Sequence, residues 1–140
     1  MDRDPLLIIG IGNTLRGDDG AGPAAAEALR KHGLDALAVH QLTPELAERI
    51  AAARVVFFLD ADARLPAGEV SVVRLAEGRS AIEHVATPAA ILRLAHEVYG
   101  AAPESWLVTM GGESFEIGER LSDAGQRAVA KAVAEVLGRS

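Results

Sequence analysis

Two adjacent carboxylates, Asp18 and Asp19, stand in the stretch L-L-I-I-G-I-G-N-T-L-R-G-D-D-G-A-G from Leu6 to Gly22. A third, Asp60, follows directly on the apolar run Val55-Val56-Phe57-Phe58-Leu59. An imidazole, His84, lies in a long polar stretch that begins near Arg74 and ends at Thr87-Pro88. Two carboxylate oxygens and one imidazole nitrogen can bind a divalent transition metal and leave positions open for water or substrate. The set Asp19, Asp60 and His84 is one selection among several. Asp18, His40, Asp62 and Glu113 compete for the same place.

Each of these residues also has an ordinary explanation. Carboxylates ahead of a helix complement its positive end and cap free N–H groups, which alone could account for Asp18 and Asp19. Their pairing beside Gly10, Gly12 and Asn13 favours a site. Asp60 is more informative, because burying an unpaired charge at the end of an apolar strand is costly unless something satisfies it. Asp62 reads as a solvated loop residue, and a lone loop histidine such as His84 is commonly a surface residue. His32 reads as a surface residue in a helix's last turn and His96 as a structural one.

The elements that must position these groups follow from periodicity. Leu6–Ile9 and Val55–Leu59 are unbroken apolar runs, as expected of strands buried on both faces. Helices are predicted from Pro23 to His32 with Gly33 as its cap, from Thr43-Pro44 to Ala53, from Pro88 to Tyr99 with Gly100 as cap, and from Ser122 toward Gly138. Weaker strands fall at 36–42, 68–75 and 106–110. This alternation specifies a three-layer α/β/α domain around a mostly parallel sheet, with ligands at the carboxyl edge of its strands.

Composition bounds the function. The 140 residues make one domain, 1–140, with 20 acidic against 14 basic side chains and a net charge of −6. That balance argues against a nucleic-acid partner. No apolar run approaches a membrane span, and M-D-R-D-P does not read as a signal peptide. The absence of cysteine removes thiol nucleophiles and disulfides and fits a cytoplasmic protein. No large apolar face is evident, so a monomer is expected.

Two motif readings fail on their own terms. Gly10 and Gly12 open like a dinucleotide fingerprint, but Leu15 stands at the third glycine position and Asp18 and Asp19 would repel a pyrophosphate. The opening G-I-G-N also resembles that of peptidyl-tRNA hydrolases, yet the Pro-Gly, Tyr and His-Asn expected next are missing.

Taken together, G-I-G-N-T-L-R-G-D-D-G-A-G, H-Q-L-T-P-E-L, F-F-L-D-A, H-V-A-T-P-A-A-I-L and G-E-S-F-E-I-G resemble, in order, the hydrogenase maturation endopeptidases. The resemblance implies a phosphorylase/hydrolase-like five-stranded sheet of order 2-1-3-5-4 with strand 4 antiparallel, where hairpin reasoning would set strand 4 beside strand 3. It implies removal of a C-terminal extension from the nickel-iron hydrogenase large-subunit precursor after nickel insertion. By position, its catalytic and metal-contacting residues fall on Asp19, Asp60 and His84. Some members carry Glu at the position of Asp19, which keeps Asp18 in reserve. The nickel would arrive with the precursor, and other divalent transition metals suit the same ligands. The alternatives are a non-catalytic nickel-sensing binder, or a maturation protease for a different metalloprotein.

Overall fold

The computed structural model describes residues 6–76 and 87–140. Strand β1 (Leu6–Ile11) runs into a 3₁₀ turn (Gly17–Gly20) and helix α1 (Ala21–Lys31). Strand β2 (Ala36–Val39), helix α2 (Leu46–Ala52), strand β3 (Val55–Asp62) and strand β4 (Val70–Arg74) follow. The chain closes with α3 (Pro88–Tyr99), β5 (Glu104–Gly111) and α4 (Asp123–Arg139).

The sheet order is β2-β1-β3-β5-β4. β1 pairs in parallel with β2 and β3, β3 pairs in parallel with β5, and β4 alone runs antiparallel, against β5. The expected topology therefore holds, and β5 inserts between β3 and β4 where a hairpin would have joined them.

Side chains alternate across the pleat, so each central strand feeds two cores. Ile8, Phe57, Leu59, Val108 and Met110 pack with Ala25 and Leu29 of α1 and Ala128, Ala132 and Val136 of α4. Leu7, Ile9, Val56 and Phe58 pack on the opposite face with Ile50 of α2 and Ile91, Leu92 and Ala95 of α3. Small alanines on all four helices let them approach the sheet closely. At the crossing of α1 with β1, a Cβ on Gly10 would strike the Gly22 carbonyl oxygen, and one on Gly22 would strike the carbonyl oxygens of Ile11 and Leu59. The start of α1 is thus seated directly on the carboxyl ends of β1 and β3.

Helix boundaries follow the sequence unevenly. α3 starts at Pro88, with Thr87 Oγ1 accepting the Ala90 N–H at 3.2 Å, and ends at left-handed Gly100. Replacing Thr87 by Ala removes that cap and should cost about 1 kcal/mol, read as a lower urea midpoint with an unchanged slope. α4 is capped by Ser122, as expected, and Gly33 follows α1 with a positive φ. α1 begins two residues before Pro23, because the 3₁₀ turn runs straight into it; Pro23 still sits in the first turn, where no intrahelical donor is needed. Thr43-Pro44 does not start α2. The carbonyls of Thr43 and Pro44 accept the N–H groups of Leu46 and Ala47 in a turn, and the helix begins only at Leu46. Among the described residues no helix is long and apolar enough to cross a membrane.

Candidate active site

The carboxyl ends of β1 and β3 bring the first loop and Asp60 together. β1 stops at Ile11, and the loop turns on Asn13, whose Oδ1 accepts the Leu15 N–H at 2.9 Å. Asn13 in turn donates its own N–H to Asp19 Oδ2 at 2.8 Å. The part-buried Asp19 carboxylate is therefore held from behind by the loop that carries it.

Asp60 lies on β3, opposite Thr109 of β5 in the register. The strand continues three residues beyond its apolar run, to Asp62, so Asp60 is embedded in the ladder and not at its last residue. Burial pushes its carboxyl pKa up to about 6; the Ala61 N–H pulls the other way, and the negative charges of Asp19 and Asp62 add to the rise. Asp19 and Asp60 thus bring two acidic groups close enough for the charge of one to raise the pKa of the other. A divalent cation placed between the two carboxylates would relieve that repulsion. His84, the third expected ligand, lies outside the described residues. Among the described residues no group of three or more His, Asp or Glu is arranged to hold a metal.

The other candidates fall elsewhere. Asp62 is no free loop carboxylate: as the last residue of β3 it accepts from the Arg64 N–H at 2.9 Å and Nε at 3.1 Å, which lowers its pKa. His40 is exposed just beyond β2, Glu113 beyond β5, His32 at the cap that ends α1, and His96 on α3.

Asp18 is the residue whose role the sequence did not disclose. Its side chain is fully buried. Oδ2 accepts the N–H groups of Glu113 (2.7 Å) and Ser114 (3.1 Å) and the Ser122 hydroxyl (2.5 Å), while Oδ1 accepts the Ser122 N–H at 2.8 Å. Burial alone would raise its pKa, but these four donors outweigh it and hold the carboxyl below the usual range. With its acceptor capacity used and no exposed surface, Asp18 is not available as a ligand or proton carrier at the edge. The reserve role is thereby removed, and Asp19 is the loop carboxylate left for chemistry. Gly112 and Gly125 leave room for it, since a Cβ on either would collide with the Asp18 side chain. The only local signals for this were Gly111-Gly112 and the capping serine; the partners lie 95 to 104 residues away.

No protein-family model and no curated protein sequence matches the chain. Solved structures do. The NiFe hydrogenase maturation protease HybD from Thermococcus kodakarensis is 24% identical over 96% of this chain and 98% of its own, with a TM-score of 0.74. The hydrogenase 2 maturation peptidase from Thaumarchaeota archaeon SCGC_AB-539-E09 is 25% identical, covering 97% of each chain, with a TM-score of 0.73. The hydrogenase maturating endopeptidase HybD from E. coli is 22% identical over 96% of this chain and 91% of its own, with a TM-score of 0.76. The resemblance carried by the motifs is borne out in these neighbours, whose fold this chain shares.

Proposed function

We propose that this chain, which has the fold of the hydrogenase maturation endopeptidases and resembles them in its motifs, is a processing endopeptidase of that kind. Its client is the nickel-iron hydrogenase large-subunit precursor, from which it removes the C-terminal extension once nickel is in place. The observation that carries this reading is the Asp19–Asp60 pair: two carboxylates held at one sheet edge at an electrostatic cost, with Asp60 raised to about 6. Such a pair is poorly explained as structure and well explained as a receptor for a cation.

The side chains restrict the chemistry. There is no cysteine. Ser122 is engaged on both sides, its hydroxyl donating to Asp18 and accepting from the Gly125 N–H, so it is no free nucleophile. Water is therefore the nucleophile we assign. Its oxygen attacks the scissile carbonyl carbon, the C–N bond breaks, and the departing amine takes up a proton. Asp19, Asp60 and His84 engage the nickel that the precursor carries, which registers loading and positions the cleavage segment; the ion also polarises the carbonyl or the water. A carboxyl titrating near 6 is suited either to ligation or to accepting the water proton at neutral pH.

The test mixes the purified protein with nickel-loaded and nickel-free precursor and follows the precursor mass. Loss of the extension only from the loaded form is expected. Asp19→Ala and His84→Ala should each lower the rate by about 10²- to 10⁴-fold while the protein stays folded by circular dichroism. Full processing by both variants would sink the assignment. Nickel-dependent binding without cleavage would instead make the chain a sensor.

A further inference from the structure

We propose that Asp18 is a positioning residue, a buried carboxylate that pins the first loop to the segment after β5 and thereby sets Asp19 at the sheet edge. This rests on the functional reading above only for its activity readout. Its structural basis is independent of it.

Two sets of contacts meet at the same junction. The first is the carboxylate itself, fully buried and saturated by donors from Glu113, Ser114 and Ser122. The second is the backbone. Asp18 N–H donates to the Ser114 carbonyl at 2.8 Å, Gly17 N–H to the Gly118 carbonyl at 2.7 Å, and Gly118 N–H to the Leu15 carbonyl at 2.9 Å, with Arg16 and Gly118 bridged in parallel. The loop that carries Asp19 is thus laced to residues 114–118 on one side and to the cap of α4 on the other. Ser122 closes the chain of contacts, because the hydroxyl that donates to Asp18 also accepts from Gly125 at the start of α4. Asp19 is the next residue along, and its other anchor is the Asn13 N–H across the same loop. With the Asp18 anchor lost, the Asp19 carboxylate is held only through its own loop, by the Asn13 N–H among the described hydrogen bonds.

Asparagine at position 18 keeps the size but turns an NH₂ toward N–H donors, so at least one contact becomes repulsive. The experiment compares wild type, Asp18→Asn, Ser122→Ala and Ile91→Val, the last a core change on the opposite face of the sheet. The Asn13 amide resonance in a ¹H–¹⁵N spectrum reports the Asp19 carboxylate directly, and precursor processing reports its consequence. Asp18→Asn should move the Asn13 resonance, speed amide exchange at Glu113, Ser114 and Ser122, and slow processing by about 10- to 100-fold. Ser122→Ala should shift the same resonance in the same direction by less. Ile91→Val should lower the melting temperature and leave both readouts alone.

Processing lost with the Asn13 resonance unmoved would overturn the proposal, since Asp18 would then act on the chemistry itself. An unmoved resonance with normal processing in folded Asp18→Asn would overturn it as well. Should Asp18→Asn fail to fold, Ser122→Ala decides by the same two criteria. If wild type processes no precursor, the functional reading fails, and the Asn13 resonance still tests the positioning.

Discussion

Asp60→Asn is expected to make the protein more stable at neutral pH and to remove nearly all of the proposed processing activity. The wild-type carboxyl titrates near 6, against an ordinary value of 3.8. Between those values the folded chain keeps a proton that the unfolded chain has released, so folding stability falls as pH rises from 3.8 to 6. The penalty is complete above that window and absent below it. Asparagine carries no such charge. Allowing for solvent screening of a part-exposed group, the gain at pH 7.5 should be about 1–2 kcal/mol. That corresponds to a melting temperature higher by about 3–8 °C. At pH 4 the difference should nearly vanish, which thermal melts at the two pH values will read. Processing should fall about 10³-fold, with a residual rate that no longer rises with pH through 6. A variant no more stable than wild type at pH 7.5 would mean that the Asp60 charge is already neutralised by a partner. Gain in stability with loss of activity is the signature of a site kept under electrostatic tension for its function.

Gly22→Ala should be the most damaging single methyl addition in α1. The added Cβ would enter the carbonyl oxygens of Ile11 and Leu59, both backbone atoms of the two central strands. Neither can swing aside like a side chain, so α1 must lift from the sheet and carry Ala25, Ala26 and Leu29 out of register with the core. The expected cost is about 3–5 kcal/mol, a large share of a small domain's total stability. Urea unfolding measures it. Gly138→Ala is the opposite control, since nothing lies within 4 Å of a Cβ there and the position is inside α4. Lying in the last turn, it should change stability by no more than about 0.5 kcal/mol, in the stabilising direction. A Gly22→Ala protein as stable as wild type would show that α1 is not seated where the contacts place it.

The periodic elements were legible because their information is local. The apolar runs of β1 and β3, the Thr-Pro start of α3 and the serine cap of α4 all stand where the sequence places them. Thr43-Pro44 carries the same local signature as Thr87-Pro88 and still makes only a turn. The Thr87 hydroxyl caps Ala90, whereas α2 has no side-chain cap. Strand order was not legible from periodicity, since placing β5 between β3 and β4 is a long-range choice; it came with the family resemblance. At the site, Asp19 and Asp60 were recognisable as carboxylates delivered to one edge. The division of labour between Asp18 and Asp19 was not. What buries and saturates Asp18 arrives from residues 113–122, far along the chain from the pair it sorts.

The placement of β5 and the Asp18 contacts also bear on how the protein is born. On the ribosome, the β1 loop emerges early, but the donors that close it belong to residues about 100 positions later. β4 waits likewise, because its sheet partner is β5, which follows α3. Pairings of such large sequence separation form late, after the entropy of closing the intervening chain has been met. A nascent chain that has not passed Ser122 therefore has neither a closed first loop nor a seated Asp19. The candidate site is therefore assembled only once the start of the last helix has been made.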